Sequence, residues 1–203
     1  MQLCDKTDNP EIIVECLRIL CNLGRNPQIQ KLLILEGIID KLLDYISSDI
    51  EEEILGYSIG LLINLSTNKQ AYEEIKGEKL NKIIELLKKS DFENLELTKN
   101  IVKIFSNIYI TSGNIQWTTI QRDEINQAIT NIGSECDSCL DVANEEEKNI
   151  LNDLHSVIKI FINFIAESTL QKEKGFLCPV KGCGRKFESK SEMESHFSRR
   201  HKN

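Results

Sequence analysis

Nowhere does this 203-residue chain stay apolar for the roughly 18 consecutive residues that a membrane-spanning helix needs, so a helical membrane protein is not expected. Its N-terminal stretch, MQLCDKTDNP, has neither a basic segment nor an apolar run, so no secretory signal is read there. The seven cysteines are therefore expected as reduced thiols in a cytosolic or nuclear setting. Only three prolines stand in the chain, and a heavy Leu/Ile load within 40% hydrophobic residues favours helices around a core over disorder. Missing too are a phosphate-binding loop, a nucleophile with an orienting base, an open metal site and a pair of carboxylates on one face. No enzyme is expected.

What the chain does have is repetition. Cys16–Leu23 (CLRILCNL), Ser58–Leu65 (SIGLLINL) and Ile101–Ile108 (IVKIFSNI) share one helical pattern, each ending on Asn and an apolar residue. The three asparagines, Asn22, Asn64 and Asn107, follow one another at 42 and 43 residues. Leu35-Glu36-Gly37 and Ile75-Lys76-Gly77 recur 40 residues apart. A period near 40 in all-helical units predicts an armadillo or HEAT solenoid. Such units bury their apolar faces only by stacking on neighbours.

Taken in order, Asn9-Pro10 predicts a helix start, an Asn cap with Pro in the first turn. Ile12, Ile13, Cys16, Leu17, Leu20 and Leu23 then fall at helical spacing, and Gly24 stops the helix. Asn26-Pro27 starts a second helix that Gly37 breaks. A third follows to Ser47-Ser48-Asp49, and Glu51–Leu65 supplies a long one. Residues 68–76, 78–89 and 93–110 repeat the cycle. Helix, Gly bend, helix, turn and long helix ending in Asn-apolar is similar to the three-helix unit of the armadillo family.

The resemblance covers roughly residues 9–110. It implies a right-handed superhelix whose long third helices line a concave groove. In peptide-binding members the Asn near the end of the third helix bonds an extended partner's backbone, and Asn22, Asn64 and Asn107 match it. A ladder of amides suits that task, each offering a donor and an acceptor. The same residues can equally bridge turns inside the solenoid. The Trp that basic-peptide grooves carry four residues earlier is replaced by Arg18, Gly60 and Lys103, so nuclear-localisation-signal binding is not expected.

A narrower resemblance runs from ECLRILCNLGRNPQIQ through GLLINLSTNKQAYEEIKGEKLNKIIELLKKSD to ECDSCLDVANEE. It is similar to the C-terminal armadillo region of a ciliary family tied to radial-spoke assembly. It implies a non-catalytic adaptor or scaffold in an axonemal complex, cytoplasmic within the cilium, with protein subunits as partners. Residues 9–24 look like a third helix lacking the two helices before it. That predicts a bare assembly edge at Ile12, Ile13, Cys16 and Leu17, covered by a partner or by further repeats.

After Ile110 the rhythm breaks. Thr111–Ile120 reads as a loop with Trp117 as a plug beneath it, and 121–133 as helix. Cys136-Asp-Ser-Cys139 lacks the further ligands or fold context of a metal or redox site and reads as ordinary thiols. Asn144–Ala166 is a last long helix whose KIFINF echoes KIFSNI, and His155 on it has no ligand partners at metal spacing. The expected domains are armadillo repeats over 1–110, about two and a half units; a loop insertion with a degenerate final repeat over 111–167; a polar linker over 168–175; and a separate module over 176–203.

That last module holds the most specific motif: Phe176-x-Cys178-x4-Cys183-x3-Phe187-x5-Met193-x2-His196-x4-His201. It has the spacing of the two-Cys, two-His zinc finger. Two thiolates from a hairpin and two imidazoles from one helical face complete a tetrahedral shell around one structural Zn2+. Phe176, Phe187 and Met193 stand where that family places its core. Residues 175–203 carry seven Lys/Arg and three Asp/Glu, net +4. The remainder carries 18 and 29, net −11, a poor nucleic-acid surface and a better one for basic protein segments. Base-reading helix positions fall on Ser189, Glu192 and Ser195, none of the Arg, Asn or Gln that read purines. The finger is therefore expected to dock on protein, with weak nucleic-acid association in the nucleus as the alternative. The expected fold is all-α and armadillo-like, with a small ββα finger appended.

Overall fold

The computed structural model describes residues 9–47, 50–89, 94–112, 118–187 and 189–201. The chain divides into two compact units, Met1–Phe161 and Ile162–Asn203.

The first unit is a stack of helices built on a repeated local code. Three of the described helices begin at an Asn in extended conformation whose side chain accepts a backbone N–H. Asn9 caps α1 (Pro10–Leu23), and Asn26 and Asn68 cap the equivalent α2 (Pro27–Leu35) and α5 (Lys69–Ile75). Such caps satisfy donors that the first helical turn leaves unpaired. Gly37 and Gly77, with φ of 74° and 72°, take the left-handed conformation that ends α2 and α5. The chain then turns into α3 (Ile38–Ser47) and α6 (Glu78–Lys89), and from these into the long α4 (Glu52–Ser66) and α7 (Leu95–Ser112).

Equivalent helices stack on one another: α1 on α4 on α7, α2 on α5, and α3 on α6. The long helices run parallel and in register, because both ends match across one repeat. At the C-terminal ends the Asn64 amide donates to the Cys21 carbonyl at 2.9 Å, and the Asn107 amide to that of Ile63 at 3.2 Å. At the N-terminal ends Asn94 donates to Glu52 at 3.4 Å. Between the helices the side chains of Leu42, Leu61, Leu62, Leu65, Ile104 and Phe105 are completely buried. Gly24 lets α1 come close to α4, since a Cβ there would stand 2.7 Å from Leu61 Cδ1.

Several sequence expectations are corrected. Ile13 and Leu17 do not form a bare edge: they are 7% and 1% exposed, on the side of α1 that packs into the unit. Ile12 is exposed as expected and Cys16 half-buried, and the remaining exposed apolar residues of α1 are Ile19 and Leu23. Helix takes both ends of the expected loop over 111–120. The helix α7 continues to Ser112, and α8 (Thr119–Cys139) starts from a capping box in which the Thr118 and Gln121 side chains each bond the other's backbone N–H. Trp117 lies outside the described residues. The helix α8 packs on α6, in the position that α6 takes on α3, so much of the extra chain before the last long helix is helical. Cys136 and Cys139 sit in the last turn of α8, where burial pushes the Cys136 thiol up to about 11, away from reactive thiolate. His155 donates to or pairs with Asp137 at 3.2 Å. Finally, α9 (Glu145–Lys174) is helical through 168–174, where a polar linker is expected, and ends at Gly175. That run holds no Gly or Pro before Gly175, so nothing in it interrupts the helix.

The second unit contains a two-stranded antiparallel hairpin, β1 (Phe176–Leu177) and β2 (Lys186–Phe187), in which Phe176 pairs with Phe187. The helix α10 (Lys190–Arg200) follows.

The stacking yields a contrast between equivalent residues. Asn64→Ala should lower unfolding stability in urea by about 0.5–1.5 kcal/mol, the worth of one hydrogen bond, because it strips the Cys21 carbonyl of its partner. Asn22→Ala, at an exposed residue that bonds no earlier helix among the described residues, should change it by less than about 0.5 kcal/mol. Equal losses would refute the cross-repeat role.

Candidate metal centre and groove

The hairpin and α10 bring four ligand atoms together. Cys178 and Cys183 lie on the turn between β1 and β2, where Cys178 N–H donates to the Arg185 carbonyl and Cys183 N–H to that of Val180. His196 and His201 come from α10 and its C-terminal end. One donor atom from each lies within 4.8 Å of all the others. Cys183 Sγ is 3.2 Å from His196 Nε2 and 3.3 Å from His201 Nε2, and the two imidazole nitrogens are 3.2 Å apart. A tetrahedral zinc ion with Zn–N of about 2.0–2.1 Å and Zn–S of about 2.3 Å has edges of roughly that length. The donor set is the soft, nitrogen-and-sulfur mixture that zinc prefers, and four ligands fill its shell. These residues can hold a metal ion and fit zinc.

The surroundings favour the ligating protonation state. Partial burial holds His196 below the ordinary imidazole range, and the nearby His201, Arg185 and Arg200 push the same way. A depressed imidazole is neutral at neutral pH, which is the form that binds metal. Phe187 packs on His196 with ring centres 4.8 Å apart, and Phe197 lies 6.2 Å from His201. Phe176, Phe187 and Met193 are only half-buried, so the apolar core is small. Ser189 and Glu192 are both engaged in capping α10. Ser189 Oγ accepts from Glu192 N–H at 3.2 Å, and Glu192 Oε2 accepts from Ser189 N–H at 3.3 Å. Two of the three base-reading positions thus serve the finger's own helix.

The second candidate site is the face shared by α1, α4 and α7. Of the two roles open to the asparagines, the structure displays the internal one for Asn64 and Asn107, whose amides join neighbouring helices. Asn107 also donates to Ser66 Oγ at 3.0 Å. Asn22 stands exposed at the start of the series. Sequence inspection overlooked a second rung: Glu11, Glu53 and Glu96 stand eleven residues, about three turns, before Asn22, Asn64 and Asn107. All three are exposed. The signal was present as the same 42- and 43-residue spacing. Between the rungs, Arg18 pairs with Glu15, which raises its pKa, with Tyr57 and Glu53 of the next helix adding to the effect. Lys99 pairs with Glu96 at 2.5 Å. The face is therefore acidic at the helix N-terminal ends and amide-bearing at the C-terminal ends.

No protein-family model matches the chain, and no curated protein matches it. Similar solved structures include an engineered protein, at TM-score 0.52 and 17% identity over 78% of this chain and 60% of its own. They also include a designed armadillo repeat protein, at TM-score 0.51 and 18% identity over 77% of this chain and 62% of its own. The chain thus spans less than two thirds of each of these structures. The likeness establishes the fold, which is all-α and armadillo-like, with the Cys/His cluster and its two-stranded sheet at the C-terminal end.

The metal centre can be tested by stoichiometry. Protein purified without chelators should contain about one zinc per chain, since the ion supplies the folding energy that so small a core lacks. Cys183→Ala should abolish binding and unfold the 176–201 module, with the first unit's helicity nearly unchanged. Because protons compete with the ion for the thiolates and imidazoles, acidification should release it, whereas at higher pH the deprotonated ligands should retain it. Less than half an equivalent of zinc would refute the assignment, as would global unfolding on chelation.

Proposed function

We propose that the chain is a non-catalytic protein-binding adaptor whose α1–α4–α7 face takes an extended, basic segment of a partner. The observation that carries this reading is the parallel, in-register stack, which repeats Glu11, Glu53 and Glu96 and, three turns on, Asn22, Asn64 and Asn107. Evenly spaced carboxylates suit Lys or Arg side chains that recur along an extended backbone. The chain outside the finger carries net −11, which steers such a segment toward it. Arg18, Gly60 and Lys103 stand where aromatic slots for lysine stems would be. Charge contact at the rims therefore carries the recognition, and binding should be salt-sensitive.

The finger acts as a second, metal-held docking module. Its capping box occupies Ser189 and Glu192, and its basic residues, among them Arg185, Arg199 and Arg200, suit an acidic protein surface or, non-specifically, phosphate. The resemblance to the ciliary armadillo family supports placing the adaptor in an axonemal assembly such as the radial spoke, in the cytoplasm of the cilium, with nuclear residence as the alternative. A tagged copy concentrating in axonemes would support that assignment, and one confined to the nucleus would remove it.

The groove is tested with a fluorescent peptide of alternating Lys and Arg, titrated at low and at physiological salt. Glu11→Gln, Glu53→Gln and Glu96→Gln combined should weaken binding roughly 3- to 100-fold, about 0.2–1 kcal/mol per exposed pair, with helicity unchanged. Binding indifferent to these three changes, or absent at low salt, would overturn the proposal.

A further inference from the structure

The face shared by α1, α4 and α7 is not evenly acidic. Each long helix presents one stripe along it, at spacings of four, three and four residues. The stripes are Glu11, Glu15, Arg18 and Asn22 on α1, Glu53, Tyr57, Gly60 and Asn64 on α4, and Glu96, Asn100, Lys103 and Asn107 on α7. That spacing keeps a stripe on one side of its helix. On α1 the Arg18 cation pairs with Glu15, which leaves Glu11 in excess. On α4 the stripe has a carboxylate, Glu53, and no cation. On α7 the balance is inverted. Glu96 is taken up by Lys99, a nearly buried lysine beside the stripe. Lys103, half-buried, stands without a carboxylate partner among the described residues.

The cause is local. Arg18 and Lys99 each have a Glu three residues earlier, whereas Lys103 has Asn100 there. One turn away in the other direction stand Ser106 and Asn107, neither of them acidic. The preceding helix supplies nothing either. The residue of α4 equivalent to Lys103 is Gly60, where a Cβ would meet only Cys21 Sγ at 3.7 Å, so α4 offers bare backbone at this level. A cation held half out of water with no counter-charge is unfavourable until a ligand brings one.

We propose, on the groove reading above, that Lys103 is a specificity-determining residue of the groove and takes a carboxylate of the partner. The bound segment then carries Asp or Glu where it crosses α7, and Lys or Arg where it crosses α1 and α4. A uniformly basic segment meets repulsion at the point where the right partner gains an ion pair, and both effects widen the discrimination. Packed helices lie about 8–10 Å apart and extended chain advances about 3.3 Å per residue, so the acidic residue stands two or three positions from the nearest basic one.

Two fluorescent peptides test this at one salt concentration. Both alternate Lys and Arg, and they differ only in a central residue, Glu in one and Gln in the other. The wild-type chain should bind the Glu peptide roughly 2- to 5-fold more tightly than the Gln peptide. Lys103→Met, which keeps the apolar stem, should remove the preference, and Lys103→Glu should reverse it, with helicity unchanged in both. Glu11→Gln, Glu53→Gln and Glu96→Gln combined should weaken both peptides and leave the Glu peptide favoured. If neither peptide binds, or binding ignores those three glutamates, the groove reading and the proposal fall together. If both bind through the glutamates but the Glu peptide is not favoured, or if its advantage survives Lys103→Met, the proposal alone is overturned.

Discussion

The first unit depends on its long helices lying parallel with their ends aligned. Alignment is what lets one side-chain amide per repeat reach back 43 or 44 residues to a carbonyl in the last turn of the helix before it. Those carbonyls belong to the turn that a helix leaves unpaired, so each repeat completes the hydrogen bonding of its predecessor. Gln30 reinforces the same joint from the next helix. Almost wholly buried, it donates to the Gly24 carbonyl at 2.9 Å and to that of Asn64 at 3.0 Å, and it accepts from Asn68 at 3.4 Å. A slip of one residue would break these bonds and rotate the buried stripe of α4 by about 100° out of the stack. The hydrogen bonds therefore specify register, and the apolar side chains of α4 and α7 supply the cohesion.

Much of this was legible in the sequence because local chemistry carried it. The Asn caps at 26 and 68 and the left-handed glycines at 37 and 77 act within a few residues, and their spacing of 42 and 40 residues reveals the repeat. The four finger ligands were equally plain, because metal geometry restricts the spacing of Cys178, Cys183, His196 and His201. What failed was non-local. With apolar residues on two faces of α1, periodicity cannot say which face meets α4, and Ile13 and Leu17 lie buried rather than at an edge. The polar run after Ala166 likewise cannot be told from a coil by composition, since a solvated helix and a linker use the same residues. The glutamate rung is invisible to periodicity for a simpler reason: exposed acids contribute nothing to a hydrophobic pattern.

The two units are stabilised by different means. In the first, stacked helices bury many fully enclosed side chains. In the second, the described residues of α10 include none that is fully buried, and among the ligands only Cys178 is nearly so. A module of this size with half-buried Phe176, Phe187 and Met193 gains little from burial, and a metal ion held by its four ligands would supply what packing does not. The same economy explains why Ser189 and Glu192 turn inward to the helix end, where two N–H groups would otherwise stand open to water.

At two of the three rungs the asparagines serve the stability of the stack. Asn64 and Asn107 are engaged with the preceding helix, whereas Asn22 is exposed at the beginning of the series. An amide that holds two helices in register is also fixed in orientation, at no further entropic cost to a partner that approaches it. The glutamates lack that constraint. Glu11 and Glu53 stand exposed at the helix N-terminal ends, favourably placed against the dipole, and Glu96 pairs with Lys99. Rigid amides at one rim and adaptable carboxylates at the other suit different parts of an extended ligand. On the proposed reading, the rigid amides would meet a partner's backbone and the carboxylates its cationic side chains, whose reach varies from one residue to the next.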